Sequence, residues 1–201
     1  MTAFLRRLFT NRFIKDVLLI AVLIFILYVI THNPIVRPMP KPSAGNWSIQ
    51  LMQHPLLFGF AGHNYLALRN ADGAIVSELH GLATDTRTNT WKYVGSRETD
   101  LLKVWEFESG KYLASKTYPG IILMEGSEDS VVNSWALAMK CKGPINDRNI
   151  SYPPYGVSFK TETINSNSVA YTLAQCMNLD TRHVGIWTPG STMNLLEQDG
   201  R

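Results

Sequence analysis

Residues 17–30 read Val-Leu-Leu-Ile-Ala-Val-Leu-Ile-Phe-Ile-Leu-Tyr-Val-Ile, apolar on every side of a helix rather than along one stripe. The uncharged stretch runs from Val17 to Val36, 20 residues. At about 1.5 Å per residue it spans about 30 Å, the thickness of bilayer hydrocarbon. This pattern predicts a transmembrane signal anchor over residues 13–33, preceded by a cytoplasmic basic tail over 1–12. Pro34, Pro38, Pro40 and Pro42 then predict a stiff stalk over 34–45. The alternative for the same pattern is a cleaved signal peptide, with Pro42-Ser43-Ala44 as a poor cleavage site.

From residue 46 the pattern changes to short mixed elements, and residues 46–201 read as one α+β domain. Residues 57–69 and 74–80 read as a hairpin around the turn residues Asn70-Ala71-Asp72-Gly73, with 64–69 extended in character and 74–80 alternating. Residues 81–100 are polar and predict a long loop. Leu102–Phe107 and Ile121–Met124 predict strands, and Ser127 or Asp129 opens a helix to about Lys140. Gly143, Pro144, Pro153, Pro154 and Gly156 predict a loop over 141–156, followed by a strand over 157–163. A second helix starts near Asn165 and runs to about Asn178, and the tail is irregular with one turn at 193–196. Strands followed by helices predict an antiparallel sheet with packed helices rather than a doubly wound sheet.

Charge sharpens the topology. The chain has 201 residues and a net charge of +3. Residues 1–45 carry six basic side chains against Asp16 alone, or +5, which leaves the rest with 13 basic and 15 acidic, or −2. Basic residues flanking the apolar run predict a cytoplasmic N-terminus and an exported body, in a bacterial inner membrane protein with a periplasmic or extracellular domain. A body without a basic stripe disfavours nucleic acid. A hydrophobic content of 45% excludes a disordered chain. Cys141 and Cys176 allow one disulfide in an oxidising compartment, or two buried thiols.

Three constellations can carry chemistry. Period-two alternation puts His63, Tyr65, Glu78 and His80 on one face of the hairpin. A four-residue loop at 70–73 sets His63 opposite His80; a two-residue turn sets Tyr65 there instead. The second constellation is Asn165-Ser166-Asn167-Ser168 at the start of the last helix. It is a strong N-cap. Ser166 shares the phase of Val169, Ala170 and Leu173, so it points inward at the positive end of the helix dipole. The third is a zinc set of His63, Glu78 and His80 with an open position.

A His opening a strand, a polar residue on the neighbouring strand and a nucleophile at a downstream helix start resemble the circularly permuted papain-like domains. These include the lecithin retinol acyltransferase group and permuted relatives of NlpC-type cell-wall peptidases. Gly62-His63-Asn64-Tyr65-Leu66 matches the His strand, and Asn165-Ser166-Asn167-Ser168-Val169 matches the helix start with Ser166 at the place of the cysteine. The resemblance covers roughly residues 57–180. It implies Ser166 as nucleophile, His63 as base and then acid, His80 as the orienting residue, and Asn165 or Asn167 with helix amides around the oxyanion. The implied activity is a hydrolase or acyl-transferase on an amide or ester, with cell-wall peptides first by compartment and lipid esters next, and no cofactor. Serine is far less acidic than cysteine, so the same cleft also suits a binding domain that no longer cuts. Trp91, Tyr93, Trp105, Tyr112, Tyr118, Tyr152, Tyr155 and Trp187 supply aromatic lining for such a groove.

Overall fold

The computed structural model describes residues 14–25, 41–56, 61–109, 111–112, 118–156, 163–181 and 187–197. The chain divides into two compact units, residues 1–34 and 35–201. In the first, residues 14–25 form helix α1, with every side chain exposed. Among the described residues no helix is long and apolar enough to cross a membrane. That finding overturns the predicted anchor, and with it the single-pass inner-membrane placement and the exported orientation. The described length of α1 corresponds to about 18 Å, well short of the roughly 30 Å of hydrocarbon. The remaining positions of the predicted 13–33 span, the 1–12 tail and most of the stalk lie outside the described residues.

The second unit is α+β. Its sheet consists of β1 (Trp47–Leu56), β2 (Ala61–Arg69), β3 (Ile75–Asp85), β4 (Thr90–Lys92), β5 (Leu101–Glu108) and β6 (Gly120–Gly126). The order is β4-β3-β2-β1-β6, β5 pairs with β3, and every pairing is antiparallel. Helix α2 spans Glu128–Asp147 and α3 spans Ser166–Cys176, with a short 3-10 turn at Pro154–Gly156 between them.

Both helices cover one sheet face. Ile49, Leu51, Leu66, Leu68, Leu79 and Ala83 project from the strands onto Val131, Trp135, Ala138, Val169 and Leu173 of the helices. Each buried Val, Leu or Ile among them contributes about 1.5–3 kcal/mol before entropy is counted. The opposite face holds a smaller cluster of Met52, Tyr65 and Ala67, flanked by Ile75, Tyr112 and Tyr118.

Several elements differ from the sequence reading. Trp47–Leu56 is a full strand, paired with β2 from Ser48 to Leu56. The region read as a loop over 81–100 contains the end of β3 and all of β4. Helix α2 continues through Pro144, because Ile145 is buried in the core and the Asn146 side chain accepts from the Val104 N–H at 2.6 Å. That packing outweighs one lost helical hydrogen bond. Cys141 and Cys176 form a disulfide joining α2 to α3. The strand expected over 157–163 lies almost wholly outside the described residues.

Strand β3 organises the region of interest. It pairs with β2 as far as Leu79 and with β4 only from Ala83, so on that edge residues 80–82 have no strand partner among the described residues. The first turn of α3 fills the fork. A Cβ on Gly81 would come within 2.6 Å of the Val169 Cβ and 2.9 Å of the Ser166 Cα. The Asn64 N–H, on β2, donates to Asn167 Oδ1 at 2.8 Å.

Candidate active site

The hairpin turn decides which groups meet. The Gly73 N–H donates to the Asn70 carbonyl at 2.9 Å, and the Ala74 N–H donates to Asn70 Oδ1 at 2.8 Å. A bulge at Leu68/Arg69 then sets the ladder as Leu66 opposite Leu79. This is the register that brings Tyr65, not His63, level with His80. The Tyr65 and His80 rings stack with centroids 4.4 Å apart, and His63 lies one step beyond.

His63 and His80 are nevertheless joined. His63 Nε2 is 3.0 Å from His80 Nδ1, and His80 Nε2 is 3.2 Å from Glu78 Oε2. A carboxylate only accepts, so His80 carries its proton on Nε2, its Nδ1 accepts from His63 Nε2–H, and His63 Nδ1 keeps a lone pair. All three side chains are buried. Burial, with the neighbouring histidines adding repulsion, holds both imidazoles well below their ordinary pKa, so they are neutral at pH 7.

The same geometry corrects the zinc reading. The two imidazoles and the carboxylate are arranged in series, with both nitrogens of His80 occupied, rather than converging on one point. Among the described residues no three His, Cys, Asp or Glu side chains are placed to hold a metal ion.

Ser166 and Asn165 sit on the helix-bearing side. Asn165 caps α3: its Oδ1 accepts the Asn167 N–H at 2.8 Å, and its own N–H donates to Ser168 Oγ at 3.2 Å. Its Nδ2 donates to the Gly156 carbonyl at 2.8 Å, so the side chain is engaged at both ends. Asn167 and Ser168 donate to the carbonyls of Pro189 and Gly190, pinning the C-terminal segment. The Ser166 side chain hydrogen-bonds Tyr152, whose hydroxyl burial pushes upward in pKa and this bond pulls back. Among the described residues no hydrogen bond joins Ser166 to His63 or His80. Alternation along β3 sends His80 to the face opposite Gly81, against which Ser166 packs.

Two further groups belong to the histidine face. His54 on β1 pairs directly with His63, and its Nε2 lies 2.5 Å from the Tyr93 hydroxyl. Recognising β1 from its alternating Ile49, Leu51 against Gln50, Met52, His54 would have found His54. Tyr152 carries no sequence signal for its contact with Ser166.

Comparison with family models, curated proteins and solved structures finds no match to this chain. The papain-like likeness therefore rests on the short motifs alone.

Proposed function

We propose that the folded body is a hydrolase or acyl-transferase acting on an amide or ester. The observation that supports this reading is the buried chain Glu78–His80–His63, in which both imidazoles are neutral and His63 Nδ1 keeps a lone pair. In the proposed reaction Ser166 Oγ leaves Tyr152 for His63 Nδ1, a rearrangement at the sheet edge because the two side chains start on opposite faces, and attacks the acyl carbon. His63 takes the hydroxyl proton and then delivers it to the departing amine or alcohol. Water or a second acceptor takes the acyl group from Ser166. The Asn167, Ser168 and Val169 amides all donate to Asn165, and the Ser166 N–H, without a hydrogen-bond partner among the described residues, faces the developing oxyanion in this reading. With the anchor withdrawn, compartment no longer selects cell-wall peptides over lipid esters.

A second reading, a binding domain that does not cut, is favoured by the Ser166–Tyr152 bond and the lack of a Ser166–imidazole bond among the described residues. A fluorophosphonate probe separates the two. The hydrolase reading expects labelling at Ser166 that falls at least about 100-fold in His63→Ala with the circular dichroism unchanged. An unlabelled native protein, or labelling indifferent to His63→Ala, overturns it in favour of the binder.

A further inference from the structure

The aromatic residues expected to line a groove separate into groups. Tyr152 is in the core, Trp105 donates its indole N–H to Thr84, and Tyr155 and Trp187 are exposed singly. Trp91, Tyr93, Tyr112 and Tyr118 gather on the sheet face turned away from the helices. Trp91 meets Tyr112 edge-on at 5.0 Å, Tyr112 meets His80 at 4.6 Å, and Tyr118 meets His54 at 4.5 Å. Trp91 is 38% exposed and Tyr93 48%. Beneath them Tyr65 is fully buried, and its hydroxyl has no hydrogen-bond partner among the described residues. Leaving a hydroxyl buried and unpaired is costly, so its retention calls for a partner.

We propose that this face binds a neutral sugar ring, stacked on Trp91 and Tyr93, whose binding parts the covering rings so that the Tyr65 hydroxyl donates to one of its oxygens. The charges here select that class. Glu78 and Arg69 oppose one another, and His63 and His80 are neutral. Burial raises the pKa of the Tyr65, Tyr93, Tyr112 and Tyr118 hydroxyls, which stay protonated donors. At the edge, Lys92 is paired with Asp85 and Asp100. A purely apolar ring leaves Tyr65 unpaired, an anion meets Glu78, and a cation meets Arg69. A sugar offers a flat C–H face to the rings and acceptor oxygens to the phenol.

The test is titration of the full chain with maltotriose, cellotriose and chitotriose, read by tryptophan fluorescence and by amide shifts. At least one neutral trisaccharide is expected to bind with a Kd below about 10 mM. Trp91→Ala weakens it at least about tenfold, and the exposed-aromatic controls Tyr155→Ala and Trp187→Ala leave it unchanged. Tyr65→Phe is the sharper variant. A merely structural Tyr65 predicts equal or higher stability and unchanged affinity; the proposal predicts the same stability effect with affinity down about three- to tenfold. Absence of binding by all three sugars, tighter binding of choline or a sulfated disaccharide, or full affinity in Tyr65→Phe overturns the proposal. Binding persists in Ser166→Ala, so its outcome is separate from that of the hydrolase reading.

Discussion

At Gly81 one hydrogen decides the local packing. Its missing Cβ is what lets α3 lie on β3, since the Val169 Cβ and the Ser166 backbone occupy that space. Gly81→Ala is expected to destabilise the domain by about 2 kcal/mol, read as a lower urea midpoint. An unchanged midpoint would mean α3 shifts freely, and Ser166 with it. The facing of His63 and His80 was legible in the sequence, because alternation sets a side chain's face and the Asn70–Gly73 turn limits the register to two choices. The Leu68/Arg69 bulge chose between them, and nothing in the residue types announces that bulge. His54 was not legible while β1 went unrecognised. Gln50 and Gln53 break up the apolar pattern there, yet both are buried, bonded to Arg69 and Asn64.

Among the elements, α2 and α3 depend on a covalent link as well as on packing. The Cys141–Cys176 bridge closes a segment 35 residues long between a helix that clamps β5 and a helix that fills the fork at β3. Chain-entropy arguments give such a crosslink about 3–4 kcal/mol. Reduction, or the paired change Cys141→Ser and Cys176→Ser, is expected to lower unfolding stability by about that amount in urea titrations. Equal midpoints with and without reductant would show that helix packing alone sets the stability. The start of α3 was legible from Asn165 as a cap, and β5 and β6 from their apolar runs. The last turn of α2 was not, because Gly143 and Pro144 oppose it locally and only the burial of Ile145 and the Asn146 clamp on β5 restore it. The predicted anchor failed for the converse reason. An apolar run licenses a span, but the helix described there is too short to make one.

For the molecule as a whole, the buried histidine face sets the response to acid. His63 and His80 are held below the ordinary value of 6.5, chiefly by burial. Unfolded, each takes up a proton near 6.5; folded, each resists until a lower pH. Below about pH 6.5 the unfolded chain therefore binds more protons, and stability falls as pH falls. The contribution is fully present above that pH and is lost towards the folded pKa, at up to about 1.4 kcal/mol per pH unit for each imidazole. Two of the carboxylates lie clear of this window. Asp85 is held at about 2 by the Arg87 N–H and Lys92, and Glu125 is lowered by Ser43 and Asn46, so both titrate below it. The melting temperature is expected to drop between about pH 7 and pH 5, and the slope to shrink in His80→Gln, which removes one titrating group. Glu78 could have rescued a protonated His80 through their 3.2 Å contact, and then the melting temperature would hold or rise on acidification. That outcome would show His80 and Glu78 to be an ion pair in the folded state rather than a carboxylate beside neutral imidazoles, and the neutral tautomers that the proposed chemistry needs would be lost.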